Sequence, residues 1–286
     1  MSSVLLVAHH DRAEAAVLAR VASDWLREHG HDVWMLADDA TPLGLHDLID
    51  DRSPGAEDLA LSLGGDGTML RTVKLVEGGA VPIIGVNVGL LGYLTEVEPD
   101  AMCHALERWF AGEMAGEWHI DERMLLAVTL HPRAGTARTW TALNEGVIEK
   151  QESGHTVRLQ VSIDGTPFTS YAADGLILAT PTGSTAYSLS ARGPVLSPRL
   201  RAVLLTPVSP HMLFDRSLVL DATELVEVEV LGHRPATLSI DGQPVAGLLE
   251  GDRVSVAPAE QVARFVRFGQ RRFHQILKAK FGLTDR

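Results

Sequence analysis

The first third of the chain alternates short apolar runs with segments of helical periodicity. Residues 4–8 form a continuous apolar run, which is typical of a strand buried on both faces of a sheet. Residues 13–29 carry apolar side chains at helical spacing, and Gly30 is expected to end that helix. The alternation continues, with strands predicted at residues 33–36, 59–63 and 81–88 and helices at residues 68–76 and 99–110. Repeated βα units predict a parallel sheet covered by helices.

The pattern changes near residue 116. From there the apolar residues alternate or form β-branched runs, and turn signals such as Asp164-Gly165 and Asp241-Gly242 separate them. Strands are predicted at residues 125–130, 157–163, 168–172, 176–179, 202–206, 225–230, 236–240 and 253–257. This pattern predicts a β-rich domain built as a sandwich of two sheets.

Two further segments complete the predicted organisation. Residues 38–55 are rich in Asp, Pro and Gly and are predicted to form a long loop, whereas residues 264–281 show a helical pattern again. The sequence therefore predicts an α/β plus β fold. A parallel α/β domain is expected at residues 1–116 and a β-sandwich domain at residues 117–263, with a helical tail at residues 264–286 that returns to pack on the first domain.

Composition narrows the classes of ligand and compartment. The 286 residues carry a net charge of -12, which argues against a general nucleic-acid or anionic-membrane binder but leaves room for a phosphate held by local N–H groups and a few arginines. Cys103 is the only cysteine, so the chain can form no intrachain disulfide and no thiolate metal cluster. No apolar run approaches the roughly 20 residues of a membrane helix, and residues 1–8 resemble a first strand rather than a signal peptide. We therefore expect a cytoplasmic protein.

A glycine-rich turn lies where a predicted buried strand meets a helix, at Gly64-Gly65-Asp66-Gly67-Thr68. The glycines are expected to permit positive φ and to let a ligand approach the backbone. Helix N–H groups beyond the turn would present partial positive charge to a phosphate. Asp66 could then accept a hydroxyl proton or help to hold a magnesium ion beside that phosphate. The alternative is a tight strand-to-helix turn in which Asp66 only caps the helix.

Residues 174–190 are the most informative stretch of the chain. An apolar run at residues 176–179 ends in a cluster of small hydroxyl residues with one glycine and one proline. Such a cluster exposes N–H groups and hydroxyls where a strand stops, which suits a polyanionic or sugar-bearing ligand.

Two further motifs are less specific. Gly85-x-Asn87-x-Gly89 follows a predicted strand and suggests a backbone that something approaches closely, although a strand, a turn and a second strand would explain it equally well. Asn144 and Glu145 could form hydrogen bonds with the two hydroxyls of a ribose. The alternative is that these two residues only form a polar turn.

These motifs occur together in one order, and the chain resembles the NAD kinase family. The resemblance is carried by the glycine-rich turn at residues 64–68, the motif at residues 85–89, Asn144-Glu145, the segment 174–190, and residues 207–211 before Arg216. It extends from residue 4 to residue 278. Gly-Gly-Asp-Gly alone is shared with phosphofructokinases and diacylglycerol-type lipid kinases, whereas the stretch 180–187 is highly specific.

The resemblance implies a fold and an activity. The family has a Rossmann-like N-terminal domain and a β-sandwich C-terminal domain with the site between them. Its members transfer the terminal phosphoryl of ATP, or of inorganic polyphosphate in some members, to the adenosine-ribose 2′-hydroxyl of NAD, which gives NADP. NAD and ATP would be the substrates and Mg²⁺ or another divalent cation would accompany ATP, with no protein residue assigned as a metal ligand. The family also favours homodimers or homotetramers built through the β domain.

The resemblance also assigns roles residue by residue. It makes Asp66 the proton acceptor for the 2′-hydroxyl. The residues that it implies in nucleotide binding are Gly64, Gly65, Gly67, Thr68, Arg71, Asn87, Asn144, Glu145, His155, Ala172, Asp174, Thr182, Ser184, Thr185, Ala186, Tyr187, Ser188, Leu189, Ser190, His211 and Gln243.

Two positions depart from the family pattern. Relatives usually have glycine where this chain has Arg192, which could add a phosphate contact or point to solvent. Members restricted to ATP tend to have arginine two residues before the aspartate that matches Asp174, whereas polyphosphate users have a small residue there, as Ala172 is here. The choice of phosphoryl donor therefore stays open.

Two other functions are compatible with parts of the sequence. A lipid or sugar kinase would share Gly-Gly-Asp-Gly, but the acidic charge and residues 180–187 argue against it. A non-catalytic NAD(H) or NADP(H) sensor could use the same scaffold, but it would have no need of Asp66 as a base.

Overall fold

The computed structural model describes residues 1–77, 79–269 and 273–283. The chain divides into two compact units, the first formed by Met1–Glu122 with Ala263–Arg286 and the second by Arg123–Val262. The strands are β1 (Ser3–Ala8), β2 (Asp32–Trp34), β3 (Leu59–Gly64), β4 (Pro82–Asn87), β5 (His119–His131), β6 (Arg138–Ala142), β7 (Glu145–Lys150), β8 (Val157–Ile163), β9 (Thr166–Ala173), β10 (Gly175–Ala179), β11 (Ala202–Val208), β12 (Leu218–Asp221), β13 (Val226–Leu231), β14 (Ala236–Ile240), β15 (Gln243–Leu248) and β16 (Arg253–Arg267). The α-helices are α1 (Ala13–Glu28), α2 (Ala37–Ala40), α3 (Asp66–Leu75), α4 (Met102–Phe110), α5 (Glu113–Gly116), α6 (Tyr187–Ser190) and α7 (Phe273–Lys280).

The first unit contains a parallel sheet in the order β2-β1-β3-β4, and the end of β16 pairs in parallel with β4. Strands β1, β3 and β4 are almost entirely buried, as their continuous apolar runs predict. Helix α1 contributes Ala15, Ala19, Ala22 and Leu26 to the core beneath this sheet. The predicted parallel α/β fold of the N-terminal region is confirmed.

Two predictions in this unit are wrong. Residues 264–267 are the end of β16 and not helix, because Phe265 and Val266 are both buried and Arg264 and Phe265 lie in register with Pro82 and Ile83 of β4. Within the predicted loop at residues 38–55, the chain forms most of α2 and a 3-10 helix at His46–Leu48. The predicted helical tail is otherwise represented by α7, and its remaining positions 270–272 and 284–286 lie outside the described residues.

The second unit consists of two largely antiparallel sheets. One has the strand order β12-β11-β10-β7-β14-β15, and the other contains β8, β9, β13 and the first part of β16. An apolar core takes side chains from both sheets, including Ile148, Leu178 and Leu238 from the first and Leu159 and Val228 from the second. The predicted β-sandwich is confirmed, although strands β6, β7, β12 and β15 are not among the predicted ones.

Both predicted Asp-Gly hairpin turns are present. Asp164-Gly165 joins β8 to β9, and Asp241-Gly242 joins β14 to β15. All four residues have positive φ, between 46° and 79°, which matches the two-residue turns that suit the twist of a hairpin. Among the described residues, no helix has the length and apolar character needed to span a bilayer.

Candidate functional site

The glycine-rich turn joins β3 to α3 in the first unit. Gly64 ends the strand, Gly65 is the N-cap, and Asp66 is the first residue of the helix. A Cβ on Gly64 would lie 2.6 Å from the Thr68 Cβ, whereas a Cβ on Gly65 or Gly67 would meet nothing within 4 Å. None of these three glycines adopts the positive φ that glycine permits. Gly64 is required by close packing, and the other two leave the backbone open to a ligand.

The Asp66 carboxylate is oriented by a backbone loop. Its Oδ2 accepts a hydrogen bond from the Tyr93 N–H and its Oδ1 accepts one from the Leu94 N–H, both at 2.9 Å. The N-cap of α3 is Gly65, and both Asp66 oxygens accept N–H groups of the loop instead, so the alternative in which Asp66 only caps the helix is wrong. Gly92 has no Cβ, and one added there would collide with Asp66 Oδ1 and lie 2.7 Å from Thr95 Oγ1. The loop therefore packs directly against the carboxylate and fixes its direction.

The motif Gly85-x-Asn87-x-Gly89 is approached closely by side chains of the protein itself. A Cβ on Gly85 would lie 2.7 Å from Met69 Sδ. Gly89 has φ +115°, and a Cβ there would lie 2.9 Å from the Arg12 Cζ. Asn87 is buried at the end of β4 and no second strand follows it directly, so the strand-turn-strand alternative is wrong.

Arg71, one turn along α3 from Asp66, binds a buried carboxylate that the sequence did not indicate. Its Nη2 donates to Asp39 Oδ2 at 3.0 Å and to the Ala8 carbonyl at 2.6 Å, and its Nη1 pairs with Asp39 Oδ1. His10 Nε2 lies 2.8 Å from the same Asp39 Oδ1. The Asp39 side chain is only 2% exposed. These contacts hold the Arg71 guanidinium in one position.

The glycine-rich turn and this cluster face one cavity of about 440 Å³ in the first unit. It lies where β1 and β3, which are neighbours in the parallel sheet, reach their carboxyl ends. Such crevices are the usual ligand sites of open α/β sheets. The residues that line it are His9, His10, Asp11, Arg12, Gly65, Asp66, Gly67, Thr68 and Arg71.

In the second unit, Asp241 organises the start of β7. Its carboxylate accepts hydrogen bonds from three consecutive backbone N–H groups, those of Leu143 at 2.9 Å, Asn144 at 2.8 Å and Glu145 at 3.0 Å. The sequence indicated Asp241 only as a turn residue. Its partners lie 96 to 98 residues earlier in the chain, so no local motif indicates this role.

Glu145 is a buried carboxyl group rather than part of a solvent-exposed polar turn. It is 5% exposed, and its Oε2 has no hydrogen-bond partner among the described residues. Burial, and then the nearby Asp241 carboxylate, raise the pKa of Glu145 to about 8, which the Tyr187 backbone N–H partly opposes. At pH 7 the side chain is therefore largely protonated and can donate a hydrogen bond as well as accept one.

The segment after β10 folds back on the start of β7. Thr180 Oγ1 donates to the Leu143 carbonyl at 2.6 Å and accepts from the Gly183 N–H at 3.0 Å. A Cβ on Gly183 would lie 2.5 Å from the Asn144 carbonyl carbon, so only glycine fits. Two predicted binding regions, residues 144–145 and 180–190, are thus brought together within this unit.

The hydroxyl residues of this segment differ in their surroundings. Ser184 and Ser188 are buried, and their hydroxyls bond to the Pro181 carbonyl at 2.7 Å and to Thr206 Oγ1 at 3.0 Å. Thr182 is also buried and receives a weak contact from Arg123 at 3.4 Å. By contrast, Tyr187 is 39% exposed. The structure therefore gives the buried hydroxyls a bracing role, and it leaves Thr185, Ala186, Leu189 and Ser190 partly or fully exposed beside Tyr187.

The remaining predicted residues lie at the ends of β-strands or on the connections that follow them. Asp174 Oδ1 pairs with Lys150 Nζ at 2.6 Å, a partner that the sequence did not indicate. The His211 backbone N–H donates to the Ala172 carbonyl at 2.7 Å, so these two positions are adjacent. Gln243 is exposed at the start of β15, and His155 is exposed on the connection between β7 and β8.

Comparisons with known proteins identify the family to which the chain is similar. The family profile described as ATP-NAD kinase N-terminal domain matches residues 4–114, and the ATP-NAD kinase C-terminal domain matches residues 143–268. A protein of Heliobacterium modesticaldum named NAD kinase is 38% identical over 292 residues, which cover 98% of each chain.

Two solved structures share the fold. A crystal structure of yeast NADH kinase complexed with NADH superposes with a TM-score of 0.87 at 24% identity, over 100% of this chain and 89% of that one. An NAD kinase from Archaeoglobus fulgidus in complex with ATP gives a TM-score of 0.70 at 23% identity, over 98% and 96%. Together with the family profiles, which cover most of the sequence, the full-length relative confirms the resemblance seen in the motifs: the chain belongs to the ATP-NAD kinase family.

Proposed function

We propose that this protein transfers the terminal phosphoryl of ATP to the 2′-hydroxyl of the adenosine ribose of NAD, forming NADP. The observation that carries the proposal is the match of both ATP-NAD kinase domains to this one chain. The cavity of the first unit supports it, because it combines a fixed carboxylate, open glycine backbone and cationic side chains. These are the parts that a phosphoryl transfer to a hydroxyl requires.

Asp66 is proposed to accept the proton of the 2′-hydroxyl. Each of its two oxygens accepts a hydrogen bond from one backbone N–H, that of Tyr93 or Leu94. Each oxygen keeps a further lone pair that can accept a hydrogen bond from a substrate hydroxyl. Because the loop fixes the carboxylate before substrate binds, little reorganisation is needed when the proton moves. The phosphoryl group leaves ATP through a loose transition state, so positioning of the hydroxyl and compensation of charge dominate the catalysis.

The donor phosphates are proposed to lie along the turn at Gly65 and Gly67, whose backbone is open. Helix α3 begins there, and its first N–H groups present partial positive charge. Arg71 lines the same cavity and adds a cationic group, although Asp39 compensates part of its charge. Since Arg71 is anchored by Asp39, its direction is set before substrate binds.

Mg²⁺ is proposed to enter with ATP. Within the described residues, no group of three His, Cys, Asp or Glu side chains could hold a metal ion. Mg²⁺ in such sites is bound mainly by phosphate oxygens and by one or two carboxylates. Asp11 and Asp66 line the cavity and could supply those carboxylates. When bound, the ion would neutralise charge that develops on the phosphate oxygens.

The second unit is proposed to bind NAD. Asn144 and Glu145 would contact ribose hydroxyls, and the protonated Glu145 could donate to one of them. The exposed Tyr187 offers an aromatic face beside them. The other residues proposed to contribute are Asp174, Thr185, Ala186, Leu189, Ser190, His155, His211 and Gln243, with Ser184, Ser188 and Thr182 bracing the segment from inside.

Donor choice, assembly and compartment complete the proposal. The small side chain of Ala172 supports a donor site that also accepts inorganic polyphosphate, which steady-state kinetics with ATP and with polyphosphate would test. We also propose a homodimer or homotetramer formed through the β domain. The acidic composition and the single cysteine support a cytoplasmic enzyme.

The activity is tested by incubating the purified protein with NAD, ATP and MgCl₂ and measuring NADP with an NADP-specific dehydrogenase. The proposal expects NADP to appear in proportion to the ATP consumed. It fails if no NADP forms, or if NADP forms equally well when ATP and polyphosphate are both omitted.

A further inference from the structure

The cavity of the first unit contains an arginine that the proposed function has not used. Arg12 directly precedes α1, a helix of 16 residues, and lines the same cavity as Asp66 and Arg71. It comes from a different loop, the one that follows β1. The cavity wall therefore presents two arginines on separate elements, α3 and the β1–α1 loop.

The two arginines differ in how their charge is compensated. Arg71 is paired with the buried carboxylate of Asp39. For Arg12, no carboxylate among the described residues lies within ion-pair distance, and its one protein partner there is the Val88 carbonyl, to which Nη1 donates. A guanidinium has five N–H donors, so most of those on Arg12 can serve a ligand. Of the two arginines that line the cavity, Arg12 is therefore the one whose positive charge is less compensated.

The position of Arg12 is prepared by the backbone of the neighbouring strand end. Gly89, with φ +115°, leaves the space that the guanidinium occupies, and a Cβ there would lie 2.9 Å from Cζ. The motif at residues 85–89 therefore accommodates an arginine from the β1–α1 loop. A side chain held this way gives up little conformational freedom when it binds an anion.

We propose that Arg12 binds the polyphosphate chain of the phosphoryl donor in this cavity; this inference rests on the proposed kinase function. The donor carries several negative charges, more than one Mg²⁺ ion would neutralise. An arginine without a carboxylate partner in this cavity adds positive charge and offers the forked geometry that suits phosphate oxygens. Arg12 is thus a determinant of donor affinity.

NAD also contains a pyrophosphate, which Arg12 could bind instead of the donor. The experiment therefore measures the effect on the donor and the effect on NAD separately. Initial rates of NADP formation are measured for wild type, Arg12→Ala and Arg12→Lys, once with ATP varied and once with NAD varied. Binding of tripolyphosphate to each protein is measured by titration calorimetry without NAD. Arg20→Ala is the matched control, because Arg20 lies on α1, is exposed, and pairs with Asp47 away from the cavity.

The expected result is a KM for ATP at least tenfold higher in Arg12→Ala, with the KM for NAD within twofold of wild type. Tripolyphosphate binding weakens at least tenfold, Arg12→Lys gives an intermediate value, and Arg20→Ala matches wild type. Gly89→Ala, whose added Cβ displaces the guanidinium, raises the KM for ATP in the same direction, and the double variant with Arg12→Ala raises it no further.

Three results would overturn the inference. They are an unchanged KM for ATP in a folded Arg12→Ala protein, a rise confined to the KM for NAD, and wild-type protein that does not bind tripolyphosphate. If wild type forms no NADP, the kinase proposal fails. The titration with tripolyphosphate then still decides the role of Arg12.

Discussion

The three N–H groups held by Asp241 give a quantitative prediction about stability. Replacing Asp241 with Asn keeps one acceptor oxygen, which can still serve Asn144 and Glu145, but it turns an NH₂ group toward the Leu143 N–H. Asparagine tolerates the positive φ of 46° at this position, so the substitution adds little backbone strain. The change therefore isolates the hydrogen bonds of the carboxylate.

The magnitude follows from burial and charge. Leu143 is 1% exposed, so its N–H would lose its partner at a cost of about 1–3 kcal/mol. The two bonds that remain would lose the charge of the acceptor, which roughly halves their strength. Relief of repulsion between Asp241 and Glu145 offsets little of this at pH 7, because the Glu145 pKa is about 8. We expect Asp241→Asn to lower the free energy of unfolding by about 2–4 kcal/mol.

The matched control is the other Asp-Gly turn. Asp164 has φ 48° and precedes Gly165, but its exposed carboxylate accepts a hydrogen bond from one backbone N–H, that of Leu225. Asp164→Asn should therefore change the free energy of unfolding by no more than about 0.5 kcal/mol. Urea unfolding at pH 7, followed by far-ultraviolet circular dichroism, compares the two variants with wild type. If Asp241→Asn lies within 1 kcal/mol of Asp164→Asn, the carboxylate does not hold this turn as the structure indicates.

Two further predictions concern Glu145 and Gly92. Because the pKa of Glu145 is raised to about 8 from 4.5, its contribution to stability is complete below pH 4.5 and is lost as the pH rises toward 8, at about 1.4 kcal/mol per pH unit. Urea unfolding at pH 5.5 and 7.5 should show a fall in wild type that exceeds that of Glu145→Gln by about 2–3 kcal/mol; equal falls would mean that Glu145 is ionised in the folded protein. Gly92→Ala places a Cβ against Asp66 and should lower kcat at least tenfold with little change in the KM for NAD, whereas Gly247→Ala, with open space around it, should match wild type. Equal kcat values in these two glycine variants would show that the loop does not set the Asp66 direction.

The sequence predicts the first unit well because its strands are buried on both faces. Continuous apolar runs mark β1, β3 and β4 without ambiguity. Strand β15 was missed because Pro244 and Gly247 interrupt it, and β6 because it is short and mostly polar. The wrong helix at residues 264–267 has a different cause, because the strand that pairs with this end of β16, β4, lies about 180 residues earlier in the chain.

The sequence predicts those parts of the candidate site whose residues lie close together in the chain. Asp66 and its glycines stand together in five residues, so the turn could be identified directly. Asp39 could not, because its partners His10 and Arg71 lie 29 and 32 residues away and it falls in a segment predicted as a loop. The roles of Asp39 and Asp241 depend on burial and on contacts with residues far along the chain. A short sequence motif reveals neither.

The proposed mechanism depends on the Asp66 carboxylate, which accepts the proton of the ribose hydroxyl as the phosphoryl group is transferred. The most direct test is the kcat of Asp66→Asn at saturating NAD and Mg-ATP, measured beside the NAD affinity of the same variant by titration calorimetry. We expect kcat to fall by about 10²- to 10⁴-fold, the range that a positioned proton acceptor contributes, while NAD binds with nearly wild-type affinity. A kcat within a few-fold of wild type would contradict the assignment.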